Sequence, residues 1–105
     1  MQDAPLIHHV FFWLNNPGSA EDQAALLAGL ETLRAIPQIR ALHIGVAAPT
    51  EDRDVVDSSY GASELMLFDS LEDQAIYQDH PIHLAFIEAH KHLWSKVVVY
   101  DTARA

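Results

Sequence analysis

The chain has 105 residues, half of them hydrophobic and a fifth charged, the composition of one ordinary globular domain over residues 1–105. Six basic against fifteen acidic side chains give a formal charge of -9, which argues against nucleic acid as a partner, because phosphate binding needs a basic patch. Cysteine is absent, so disulfides, thiolate ligands and cysteine nucleophiles are excluded, and seven histidines are many for this length.

No apolar run is long enough to cross a bilayer. Met1-Gln2-Asp3-Ala4-Pro5 has neither a basic n-region nor an apolar h-region, so no signal peptide and a cytoplasmic location are expected. Leu6 to Leu14 then reads as a strand with apolar residues on both faces: Leu6, His8, Val10, Phe12 and Leu14 on one, Ile7, His9, Phe11 and Trp13 on the other. Asn15-Asn16-Pro17-Gly18 is a turn cluster, and Ser19 is placed as an N-cap with Glu21 and Asp22 near the helix start. Ala24, Leu26, Leu27, Leu30, Leu33 and Ile36 recur at helical spacing, which predicts a helix over 20–35 ended by Pro37.

A second strand is expected over 39–46. Residues 47–59 carry Glu51, Asp52, Asp54 and Asp57 against Arg53 and read as a mobile, solvated loop without calcium-loop spacing. A third strand is expected over 60–68. Ser70 caps a short helix that Pro81 breaks, a further helix starts at Pro81 and runs to about residue 93, and a last strand covers 96–101.

The order β-α-β-β-α-β predicts an α+β fold: a ferredoxin-like four-stranded antiparallel sheet with helices on one face. The first strand pairs with the third and with the last. Since the first and last strands are apolar on both sides, a monomer would leave a large apolar sheet face in water. A two-fold homodimer with sheets packed face to face covers it.

The stretch Tyr77-Gln78-Asp79-His80-Pro81-Ile82-His83 concentrates the chemistry. Together with His8-His9-Val10-Phe11-Phe12, Ile36-Pro37-Gln38-Ile39, Phe68-Asp69-Ser70 and Trp94-Ser95-Lys96-Val97-Val98-Val99-Tyr100-Asp101, it resembles the Dabb family of stress-responsive dimeric α/β-barrel domains over nearly the whole chain. The resemblance implies a dimeric α/β barrel. Through the family's plant polyketide cyclase branch it implies a cofactor-free aldol cyclisation, with Tyr77 and His83 as acid/base pair and His8 facing the pocket.

His83 is the expected base, since a neutral imidazole titrates near operating pH; the alternative is a helix-start histidine bonded to backbone. Tyr77 is the expected donor to a developing enolate, or else a buried tyrosine with a satisfied hydroxyl. Glu64, in phase with Ala62, Met66 and Phe68, departs from the cyclase branch, which has an apolar residue there. It is expected beside His8 in the pocket, paired with His8 or His83, or else at a strand bulge or a wet pocket mouth. Val10, Phe12 and Phe86 complete the expected lining. His8, Glu64 and His83 would suit a divalent metal by residue type, but no short metal motif supports this; no metal is expected, and metal binding there is the lesser alternative. His80 is expected to anchor its turn, and His90 and His92 to lie at a surface or interface. The resulting expectation is a homodimer with a small-molecule pocket that acts as a cofactor-free cyclase or isomerase. The alternatives are a non-catalytic stress protein and, by fold analogy, a cofactor-free oxygenase.

Overall fold

Side chains of a strand alternate between faces, and β1 (Leu6–Leu14) alternates buried and half-buried positions along its full length. The computed structural model, which describes residues 5–105, places this strand inside a four-stranded antiparallel sheet of order β2-β3-β1-β4. The other strands are β2 (Ala41–Gly45), β3 (Ala62–Phe68) and β4 (Trp94–Ala103). Three helices lie across one face: α1 (Ala20–Glu31), α2 (Leu71–Asp79) and α3 (Pro81–His90). The core forms where Leu26, Leu30, Leu33 and Ile36 meet Leu6, Val10, Phe12, Met66 and Phe68. Burial of such side chains stabilises by roughly 1.5–3 kcal/mol each. Among the described residues no helix is long and apolar enough to cross a membrane.

Both serine caps form as expected. Ser19 Oγ accepts the Asp22 N–H at 3.1 Å and Ser70 Oγ accepts the Asp73 N–H at 3.0 Å. These bonds occupy helix-start donors that would otherwise lack a partner. The first helix differs from the single unit expected over 20–35, tightening into a 3₁₀ turn at Thr32–Ala35. The Thr32 hydroxyl donates to Gly29 O at 2.6 Å, and the Thr32 N–H is shared between the carbonyls of Gly29 and Leu30. That competition draws the last turn in.

The strand ends also differ. β2 is shorter than expected because the Ile39 N–H is held by Ile36 O in a turn. β4 is longer, because it pairs with β1 from Leu14 opposite Trp94 to Leu6 opposite Ala103, with a register shift at Trp13 and Leu14. His90, expected at a surface or interface, is half-buried instead. Its ring stacks on Phe86 at 5.1 Å and presses on α1 at Gly29, where a Cβ would come within 2.6 Å of the imidazole. A side chain at Gly29 would therefore displace the imidazole. His92 is exposed.

Candidate active site

Register decides which polar groups enter the layer between sheet and helices. His8, Val10 and Phe12 of β1 point toward the helices and are buried. On β3, Glu64 lies opposite Val10; on β4, Asp101 lies opposite His8 and Val99 opposite Val10. The α2–α3 corner supplies the rest. Pro81 has no N–H and fits only the first turn of a helix, so α2 stops, His80 turns extended, and α3 begins. His80 Nδ1 accepts the Ile82 N–H at 3.1 Å, the anchoring role expected of it.

The same break orients His83. Carbonyls in the last turn of a helix lack intrahelical partners. One of them, Gln78 O, lies 3.0 Å from His83 Nδ1. A carbonyl can only accept, so Nδ1 carries the proton and Nε2 keeps the ring's free lone pair. Burial, the largest influence on His83, also lowers its pKa and favours the neutral imidazole. The backbone bond and the role of base are thus compatible.

His8, Glu64, Tyr77 and His83 line one cavity of about 220 Å³ with Val10, Phe12 and Phe86. The size is below the roughly 300–1,000 Å³ of drug-sized ligand pockets, so the space suits a small molecule. Apolar residues dominate the remaining wall, including Trp94, Val97 and Val99, which the sequence reading did not single out. The Tyr77 ring stands 4.3 Å from that of His83 and 5.6 Å from that of His8. Phe12 and Trp94 meet at 5.1 Å.

Two pairings differ from expectation. His8 does not pair with Glu64; its Nδ1 donates to Asp101 Oδ1 at 2.6 Å. Asp101 was missed because it lies 93 residues away, but its parity with Val97 and Val99 on a strand beside β1 is the signal that could have found it. Glu64 pairs with neither histidine. Its Oε1 accepts from Tyr77 Oη at 3.5 Å, while Oε2 is buried with no hydrogen-bond partner among the described residues. Burial pushes the Glu64 pKa up to about 8, against the smaller opposing effect of the Tyr77 hydroxyl. Burial, and after it Glu64, raises the Tyr77 pKa well above the usual phenol range, so Tyr77 stays a donor. Among the described residues no three His, Cys, Asp or Glu side chains are placed to hold a metal ion, so His8, Glu64 and His83 do not form the ligand set their residue types would allow.

The raised Glu64 pKa makes stability depend on pH. Between 4.5 and about 8 the native state holds a proton that the unfolded chain has released. The contribution of this group is therefore full below 4.5 and is lost as pH rises through about 8, at up to about 1.4 kcal/mol per pH unit. His83 acts in the opposite sense: its pKa is lowered, so its contribution is present above the ordinary imidazole value of 6.5 and is lost as pH falls. Glu64→Gln keeps the shape and cannot ionise. In thermal melts it is expected to gain on the wild type from about pH 5 to about pH 8 and to level off above that. Parallel curves for the two proteins would show that Glu64 is ionised throughout.

Comparison with known proteins agrees with this architecture. The family model Dabb, stress responsive A/B barrel domain, matches residues 6–103. A Dabb family protein with a ferredoxin-like fold from Mesorhizobium loti superimposes with a TM-score of 0.78 at 20% identity, covering 98% of this chain and 99% of that one. The hydroxynitrile lyase from Passiflora edulis does so with a TM-score of 0.75 at 21% identity, covering 95% and 93%. A dimeric ferredoxin-like protein of unknown function from Thermobifida fusca gives 0.75 at 21% identity, covering 99% and 94%. No curated protein matches the chain. The likeness to these structures is one of fold, and the family match settles membership: this chain belongs to the stress-responsive α/β-barrel domain family.

Proposed function

We propose that the chain is a homodimer in which each protomer binds a small organic molecule in the cavity between sheet and helices and catalyses proton transfer on it, as a cyclase or isomerase does. The observation that carries this reading is the tautomer of His83. Its Nδ1 is occupied by Gln78 O, which leaves Nε2 free on a cavity wall. In this role Nε2 takes a proton from a carbon next to a carbonyl. The electron pair of the broken C–H bond moves onto the carbonyl oxygen, which the Tyr77 hydroxyl stabilises by a hydrogen bond. Return of the proton at another carbon is isomerisation. Attack of the enolate on a second carbonyl of the same molecule is cyclisation, with the proton returned to the new alkoxide. His8, held by Asp101, supplies a second imidazole to the same space. The fold is compatible with lyase chemistry, since a hydroxynitrile lyase shares it.

The test is exchange of α-protons for deuterium in a panel of small ketones and aldehydes, followed by proton NMR in D₂O. Wild-type protein is expected to speed exchange for the compounds that fit. His83→Ala should lower that rate by about 10²-fold or more, and Tyr77→Phe by about 10²-fold. Equal rates for wild type and His83→Ala across the panel would contradict the reading.

The dimer is supported by the other sheet face. Phe11 sits 4.9 Å from Tyr60 and 6.0 Å from Tyr100, and Trp13 lies 6.3 Å from Tyr60 with Lys96 Nζ 4.6 Å from its ring. Tyr100 is 61% exposed in the single chain. Such an aromatic surface is depleted in monomers and suits a self-complementary two-fold contact. The relative from Thermobifida fusca and one from Bacteroides fragilis are described as dimeric. Sedimentation at micromolar concentration is expected to show a dimer. A folded monomer there would contradict the assignment.

A further inference from the structure

Tyr77 and Glu64 together hold a hydrogen bond that neither can use. Glu64 is 2% exposed, its Oε2 has no partner among the described residues, and neither lysine nor arginine lines the cavity. An ionised carboxylate here would be a buried charge without compensation, so the neutral acid is favoured. The upward pKa shift that burial causes agrees. The pair then has two protons and three oxygens. If Tyr77 Oη donates to Glu64 Oε1, the carboxyl proton on Oε2 has no acceptor. If the carboxyl proton sits on Oε1 and is donated to Tyr77 Oη, the phenolic hydrogen has none. In either arrangement one O–H is left over on a residue that lines the cavity. Ionisation of Glu64 removes it, because the only remaining hydrogen is then drawn to the carboxylate.

We propose that the Glu64–Tyr77 pair donates this spare hydrogen bond to a carbonyl oxygen of the ligand, so that the cavity selects neutral carbonyl compounds with a small apolar body over carboxylates, phosphates and other anions. The apolar body would lie against Phe12, Phe86, Trp94 and Val99, which share the wall. Neither lysine nor arginine lines that wall to hold an anion, and the chain as a whole carries a formal charge of -9. The groups that face Glu64 are Tyr77 from α2, His83 from α3, His8 from β1 and, behind His8, Asp101 from β4. The inference rests on the cavity being the ligand site of the proposed function, and it extends that reading to substrate class.

Acetophenone, benzoate and ethylbenzene share a phenyl body and differ in the group presented to Glu64. Calorimetric titration near neutral pH is expected to show acetophenone binding about tenfold or more tightly than either of the others, the worth of one buried hydrogen bond. Wild-type affinity for acetophenone should fall about tenfold as pH rises from about 7 to about 9.5, past the loss of the carboxyl proton. Glu64→Gln keeps every other titrating group and a permanent N–H donor, so its affinity should stay level over that range. Glu64→Leu should bind acetophenone and ethylbenzene alike, and its ethylbenzene affinity shows that the pocket is still formed. Benzoate binding as tightly as acetophenone, a Glu64→Leu variant that keeps the preference, or no binding of any of the three would each overturn the proposal. The proton-transfer reading is scored separately. If acetophenone binding follows this pattern while His83→Ala leaves α-proton exchange unchanged, recognition stands and catalysis falls.

Discussion

The central strand has a hydrogen-bonded neighbour on each edge, and that double pairing fixes the site. A strand held by two ladders cannot slip by one residue without turning its whole buried set outward. The β1–β3 ladder therefore sets Glu64 opposite Val10, and the β1–β4 ladder sets Asp101 opposite His8. Both carboxyls sit on the helix side, but in unlike surroundings. Asp101 is on an edge strand, half-exposed, and bonds an imidazole. Glu64 is on an interior strand, lines the cavity with α2 and α3 residues, and among the described residues hydrogen-bonds to a phenol alone. Position within the sheet thus decides which carboxyl bonds an imidazole and which is buried beside a phenol, where burial favours the neutral acid.

The helical layer completes the arrangement through backbone chemistry. A proline at the start of α3 ends α2 and leaves the carbonyl of Gln78 to be satisfied by a side chain. His83 does so, and the bond that satisfies the helix end also sets the imidazole tautomer. Removing the histidine would therefore cost a helix-end bond as well as the base of the proposed reaction. The cavity unites a carboxyl, a phenol and imidazoles inside an apolar wall, the groups that the proposed proton transfer calls on.

Much of this was legible in the sequence. The alternation of His8, Val10 and Phe12, the serine caps at Ser19 and Ser70, and the break at Pro81 each rest on local rules, and each appears in the structure. The phase of Glu64 with Met66 and Phe68 placed it on the buried face correctly. Its partner was not legible, since a strand pattern says which face a side chain takes and not what stands above it. Asp101 was hidden for a related reason: its place on the last strand was legible, and the imidazole opposite it on β1 was not. The expected last strand stopped at that residue, while the real one continues to Ala103 because pairing with β1 stabilises residues of modest strand propensity. The placement of His90 depended on a missing Cβ at Gly29 of another helix, a tertiary fact that no periodicity carries.

The central claim is that Glu64 is a neutral acid at the cavity wall at working pH. It is tested most directly by following the carboxyl carbon of Glu64 by ¹³C NMR across a pH titration, with the resonance assigned by its absence in Glu64→Gln. A protonated carboxyl at neutral pH and a midpoint near about 8 are expected. A midpoint near the ordinary value of 4.5 would mean that the group is an anion, and the spare hydrogen bond assigned to the Glu64–Tyr77 pair would not exist.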